Sequence, residues 1–201
     1  MRSEADGRTK AGLLALALAM AFILPVAGCG QQSDPRVREL LKDASAHMSK
    51  AAEVTGAVRE FDKQWEALAG SLSDPQTAVK LEDLFKKTRV SETSSLDETK
   101  AARDDYAKAA TLRASAEKKK YIDLRHEALL EQTAFLETEL KAMDLRIKVE
   151  QGEVSGQPIE TLIELNRQIS SLEEAEAAHA KRAAALHKQA TDYYEEHKLG
   201  G

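Results

Sequence analysis

The chain has 201 residues, a formal net charge of −5, 31% charged side chains and only 4% aromatics. That mild acidity leaves no electrostatic footprint for nucleic acid and no polybasic patch for anionic lipid. Few aromatics beside abundant alanine, leucine, glutamate and lysine is the profile of long helices and coiled coil. Breakers group at Asp34-Pro35, between Gly70 and Pro75, between Gly152 and Pro158, and at Gly200-Gly201, with neither proline nor glycine over residues 76–151. Sheet proteins need both in their turns, so the expected fold class is all-α.

At the N-terminus, Arg2, Arg8 and Lys10 precede an apolar run over residues 11–24. At about fourteen residues it is short for a bilayer span and has the size of a secretory h-region. It leads into Val26-Ala27-Gly28-Cys29, and Cys29 is the only cysteine. That string resembles the lipobox of bacterial lipoproteins. The resemblance implies cleavage between Gly28 and Cys29, a covalent lipid on the Cys29 sulfur with palmitate-type acyl chains, and an extracytoplasmic position anchored to a membrane. A lone thiol has no disulfide partner in its own chain, which suits acylation. A diacylglyceryl group with an amide-linked chain, at about 0.8 kcal/mol per buried methylene, exceeds what stable anchoring needs. Gly30 rather than aspartate follows the cysteine. The outer membrane is therefore expected in a cell with two membranes, and the outer face of the cytoplasmic membrane in a cell with one.

Three regions are expected: a signal peptide over 1–28, a lipidated N-terminus and tether over 29–34, and a single helical domain over 35–199. Removing Arg2, Arg8, Lys10, Glu4 and Asp6 leaves the mature chain with about six net negative charges. The tether of about six residues reaches at most about 20 Å, so the folded body stands close to the bilayer.

Asp34 can cap free amides and Pro35 fits the first helical position, which predicts a helix from Pro35 to about residue 69. Its four-three seam is Leu40, Ala44, His47, Ala51, Val54, Val58, Phe61, Trp65, Leu68 and Leu72. Asp74-Pro75 repeats the start signal for a shorter helix over about 75–89, with Ala78, Leu81, Phe85 and Thr88 on one side. Residues 90–94 are the least helical stretch between breakers, and Ser95 with Glu98 makes a capping box for a long helix over about 95–151. Its second half carries one stripe of Ile122, His126, Leu129, Thr133, Leu136, Leu140, Met143 and Ile147. A second stripe holds Tyr121, Leu124, Ala128, Phe135, Ala142, Leu145 and Val149. Two stripes mean two neighbours, so this helix belongs inside a bundle. After a connector over 152–158, the last helix spans about 158–198. Its seam is Leu162, Leu165, Ile169, Leu172, Glu176, His179, Ala183, Leu186, Ala190 and Tyr193. The whole predicts an elongated antiparallel bundle or coiled coil of three to four helices.

A short connector returns the chain antiparallel, so residues whose numbers sum to roughly 309 should face each other. That register sets Thr133 near Glu176, Leu129 near His179, His126 near Ala183 and Ile122 near Leu186, a polar layer within an apolar seam. Glu176 with His179, and Asp123 with His126, repeat the carboxylate and imidazole spacing of ferritin-like di-metal bundles, which this layer resembles. That family also needs inward glutamates from two further helices. The first helix has Glu39, Glu53, Glu60 and Glu66, none in its seam, so no metal is assigned. The layer of His126, Thr133, Glu176 and His179 reads first as a device that fixes register. His47 reads as a half-buried, hydrogen-bonded filler, and the Lys118-Lys119-Lys120 run as a solvated face.

There is no glycine-rich phosphate loop, no Gly-x-Ser-x-Gly elbow and no His-Glu-x-x-His. Long helices with short connectors also offer few loops for an active site. The expectation is a non-catalytic envelope lipoprotein acting as a helical spacer, adaptor or docking module for an envelope protein or the cell wall. Apart from the lipid on Cys29 it needs no cofactor. The alternative is a small-ligand or metal-binding bundle using His126, Glu176 and His179.

Overall fold

The computed structural model describes residues 33–54 and 75–199 together with Phe61, Gln64 and Leu68. Gly28, Cys29 and the apolar run before them, the Asp74 start signal, Trp65, Leu72 and Gly200-Gly201 lie outside the described residues. Within them the protein is all-α. Its long helices are α1 (Pro35–Glu53), α2 (Pro75–Thr111), α3 (Ala116–Ser155) and α4 (Ile159–Glu196), and Phe61, Gln64 and Leu68 are helical as well. Successive helices pack on one another, α1 on α2, α2 on α3 and α3 on α4, as an up-down-up-down bundle requires. At 1.5 Å per residue the three longer helices measure about 55–60 Å, while α1 reaches about half that length.

The Asp34 carboxylate accepts from the Arg36 amide at 2.9 Å with Pro35 at the first helical position, so α1 begins where its cap and proline direct. The Asp34 N–H donates to the Arg113 carbonyl at 2.8 Å, which ties the start of α1 to the α2–α3 turn. Leu199 packs into the same cluster as Val37 and Leu41, so the C-terminal end lies there too. We call this end proximal and the α3–α4 hairpin distal. The buried face of α1 is Val37, Leu41, Ala44, Met48 and Ala51. This is a four-three seam, but one residue out of phase with Leu40 and His47. The helix ends at Glu53, short of the expected residue 69.

Two expected boundaries are corrected. Residues 90–94 are not a break, because α2 continues through them to Thr111. Hydroxyls that would compete for the backbone are satisfied inside the helix: Thr88 Oγ1 donates to the Leu84 carbonyl at 3.0 Å and Thr93 Oγ1 to the Arg89 carbonyl at 2.8 Å. Burial of Glu92 and Leu96 on the core side completes the override of propensity. Ser95 and Glu98 are consequently mid-helix, not a capping box. The real break is at residues 112–115, inside the expected long helix, where Ser115 accepts from the Lys118 amide at 3.2 Å and Glu117 lies in the first turn of α3.

At its other end α3 passes the expected stop at Gln151 and runs to Ser155. A single glycine within a helix costs only about 1 kcal/mol, too little to end it. Gly152 is buried because a Cβ there would stand 2.7 Å from Leu162 Cδ2, so the residue lets α4 approach closely. Gly156 ends the helix with φ +69, where the Gln157 N–H donates to the Gly152 carbonyl at 2.9 Å and the Gly156 N–H to the Glu153 carbonyl at 3.3 Å. An added Cβ at Gly156 meets nothing within 4 Å, so only backbone strain opposes a substitution. Gly156→Ala should therefore lower stability by about 1 kcal/mol in urea unfolding. An unchanged midpoint would contradict the left-handed helix end.

Among the described residues the core falls into three clusters along the bundle. The proximal one joins Val37, Leu41, Ala102, Tyr106, Ile122, Leu129 and Ala190. A middle cluster joins Leu96, Phe135, Leu136, Ala180 and Ala183. The distal one packs Leu81, Leu84 and Phe85 against Phe61, Leu68 and Ile147. Both expected stripes of α3 are used, which fits a helix between two neighbours.

Candidate functional site

Between the apolar clusters lie polar layers. On α3, Arg125, Gln132, Glu139 and Arg146 recur every seven residues along the strip between the two apolar stripes. Polar contacts also link the helix pairs: His47 Nδ1 lies 2.6 Å from Glu98 Oε2, and ion pairs join Lys100 to Glu137 at 2.8 Å and Arg146 to Glu173 at 2.8 Å. The last two register α2 on α3 and α3 on α4. His47 is thus half-buried and hydrogen-bonded as expected, although it lies beside the buried seam of α1 and not in it.

The first layer separates the proximal from the middle cluster. Buried His187 on α4 sits between Arg125 and Gln132, with Nδ1 3.3 Å from Arg125 Nη1 and Nε2 3.1 Å from Gln132 Oε1. A guanidinium only donates, so Nδ1 accepts and the Nε2–H donates to Gln132. Burial first, and then the Arg125 charge, push the His187 pKa down to about 3, so the ring is neutral at physiological pH. Arg125 Nε also donates to the Tyr121 hydroxyl at 3.1 Å, and its guanidinium lies 5.4 Å from the centre of that ring. The Tyr121 ring packs on Tyr194 at 5.1 Å. Burial first, and then Tyr121, raise the Tyr106 phenol well above its ordinary value. Five side chains from α3 and α4 are joined in one polar and aromatic unit.

The second layer separates the middle from the distal cluster and is acidic. Glu92 on α2 and Glu176 on α4 are each only 4% exposed, and Glu176 Oε1 has no hydrogen-bond partner among the described residues. Burial pushes the Glu176 carboxyl up to about 8, with Glu139 and Glu173 adding to the rise and Arg146 opposing it. Glu92 rises to about 7, first through burial and then through the charge of Glu176. These carboxyls hold protons over a range where exposed glutamates have lost them.

The four residues expected to form one polar layer are therefore distributed. Glu176 belongs to the acidic layer. His179 lies toward the surface, its Nδ1 2.7 Å from Glu131 Oε2, which also accepts from Arg182 at 2.9 Å. Burial would raise the Glu131 carboxyl, but the bonds from His179 and Arg182 hold it below its ordinary value. The Thr133 hydroxyl donates to the Leu129 carbonyl at 2.7 Å, within its own helix. His126 is half-buried on α3. Among the described residues no group of three or more histidine, aspartate or glutamate side chains converges to hold a metal ion. The register explains the redistribution: His187 is buried against Arg125 and Gln132, while Leu186 is partly buried and still packs on the cluster that holds Ile122. On α4 the buried line is Ile169, Glu176, Ala180, Ala183, His187 and Ala190. The expected line shares Ile169, Glu176, Ala183 and Ala190 but, between Glu176 and Ala190, takes each intervening step one residue early, at His179 and Leu186.

Sequence reading passed over Arg125, Gln132, Glu92 and His187. The heptad of polar residues between the two stripes of α3 was the available signal. Tyr194, rather than Tyr193, makes the proximal aromatic contact, whereas Tyr193 stacks on His197 at 4.0 Å. Of the lysine run, Lys119 and Lys120 are exposed and Lys118 is half-buried. No helix among the described residues is long and apolar enough to cross a membrane. No family model matches the chain, and no curated protein and no solved structure is similar to it.

Proposed function

We propose that this chain is a lipid-anchored, non-catalytic protein of the bacterial envelope whose helical bundle acts as a spacer and docking module for an envelope protein or the cell wall. The observation that carries the reading is Val26-Ala27-Gly28-Cys29 directly after an apolar run of secretory size. The geometry of the folded part supports it. Asp34 lies only five residues beyond Cys29 and sits at the proximal end, so a lipid on Cys29 holds that end near the bilayer. The distal hairpin stands about 55–60 Å along the bundle from there. Exposed Val154, Ile159 and Ile163 lie on either side of the hairpin connection and offer an apolar tip for contact.

Anchoring and docking are separable by experiment. Cys29→Ala should abolish lipid attachment, and fractionation should then find the chain released from the membrane or accumulated as unprocessed precursor. A variant that stays membrane-bound at full level, with no precursor, would remove the basis of the reading. Docking is tested by photo-crosslinking from Ile159 or Ile163 in intact cells. One reproducible envelope partner is expected, whereas a stoichiometric small ligand without a partner would favour the ligand-binding alternative.

A further inference from the structure

We propose that Glu92 on α2 and Glu176 on α4 form a proton-operated latch at mid-bundle, which holds α2 against α3 and α4 while protonated and frees the distal part of the bundle when both carboxyls ionise. The inference is independent of the lipid anchor. Two carboxyls from different helices are each 4% exposed, and Glu176 Oε1 finds no donor among the described residues. A buried ionised carboxylate without a donor is strongly disfavoured, whereas a protonated one is tolerated. The charged groups facing Glu176 are Glu139 and Arg146 from α3 and Glu173 from its own helix, and the group facing Glu92 is Glu176. The one cation among them, Arg146, is already 2.8 Å from Glu173 Oε1. Arg146 is therefore shared with Glu173, and a proton is what neutralises the buried Glu176 carboxyl.

Position gives the latch its effect. Glu92 lies one turn from Leu96, and Glu176 one turn from Ala180, both in the middle cluster. On the other side of Glu92, Phe85 and Leu84 begin the distal cluster about two turns away. Charge in this layer lets water in between the two clusters and loosens the distal one, while the proximal end keeps its own polar unit around His187.

The direction with pH follows from linkage. Opened to solvent, both carboxyls titrate near 4.5, whereas in the closed bundle Glu92 and Glu176 titrate near 7 and 8. The closed form holds more protons over that interval, so closure is favoured at low pH. The advantage shrinks as pH rises above about 4.5 and is gone above about 8.

The test is hydrogen exchange on the full chain in detergent at pH 6 and pH 9, corrected for the pH dependence of intrinsic exchange. Protection around Glu92 and Glu176 should fall by about 30-fold or more at pH 9, with a smaller change around Ile122. In Glu92→Gln/Glu176→Gln the same segments should change by less than about 3-fold. Wild-type protection that is equal at both pH values, or a double variant that loses as much as wild type, would overturn the latch. If the double variant does not fold, the wild-type infrared spectrum decides. A protonated carboxyl band at pH 6 that vanishes by pH 9 is expected, and no such band at pH 6 would overturn the proposal.

Discussion

Replacing His187 with alanine is expected to destabilise the protein by about 3 kcal/mol, which corresponds to a fall of roughly 6–10 °C in melting temperature. Two effects combine. The imidazole is 3% exposed, so its removal leaves a cavity between α3 and α4. It also removes the acceptor for Arg125 Nη1 and the donor for Gln132 Oε1, leaving buried polar atoms short of a bond. His179→Ala is the control, since that ring is half-exposed and its partners Glu131 and Arg182 also bond each other. It should cost less than about 1 kcal/mol. Replacing Arg125, Gln132 and His187 together by methionine, leucine and leucine should recover most of the loss, because the three positions then have no unmet bonds and only the Tyr121 hydroxyl gives up a donor. A triple variant less stable than His187→Ala would mean that the unit contributes net stability and not chiefly register.

The second large effect concerns α2. Val90→Pro should cost about 3 kcal/mol or more, since proline removes a helical N–H and clashes with the turn before it. Val90 is 69% exposed, so lost packing cannot account for such a result. Ala114→Pro, in the α2–α3 turn, should cost less than about 1 kcal/mol because no helix passes there. Equal tolerance of proline at both positions would restore a break at residues 90–94, and chemical denaturation of the two variants checks it.

How far the residues announce this fold varies along the chain. Proline and its capping aspartate at 34–35, and the two apolar stripes of α3, carry strong local signals and place elements correctly. The α2–α3 turn has neither proline nor glycine. Its only mark is Ser115 with Glu117 in the following turn, a weaker signal than the Ser95 and Glu98 pair that tertiary packing overrules. Phase on α4 is hidden for another reason. Ala177, Ala178, Ala180 and residues 183–185 surround the seam with alanine, so hydrophobicity cannot tell a three-residue step from a four-residue one. That ambiguity concealed His187 and pointed to His179. Arg125, Gln132 and Glu92 are polar yet occupy core positions, because partners on other helices accept them or because a proton neutralises them. Such pairings are long-range and leave little local trace.

The acidic layer and the His187 unit give the bundle different sensitivities. His187 is already neutral throughout the physiological range, so its layer does not respond to pH there. Glu92 and Glu176 do respond, which places their pH dependence at mid-bundle. An anchored rod of this kind would keep its membrane-proximal end intact while its far end loosens.

Intact-mass analysis of the protein extracted from membranes tests the proposed lipid on Cys29. The expected result is a chain that begins at Cys29 and carries the added mass of a diacylglyceryl group, with or without a further acyl chain. A chain that retains residues 1–28, or one that begins elsewhere with an unmodified thiol, would contradict it.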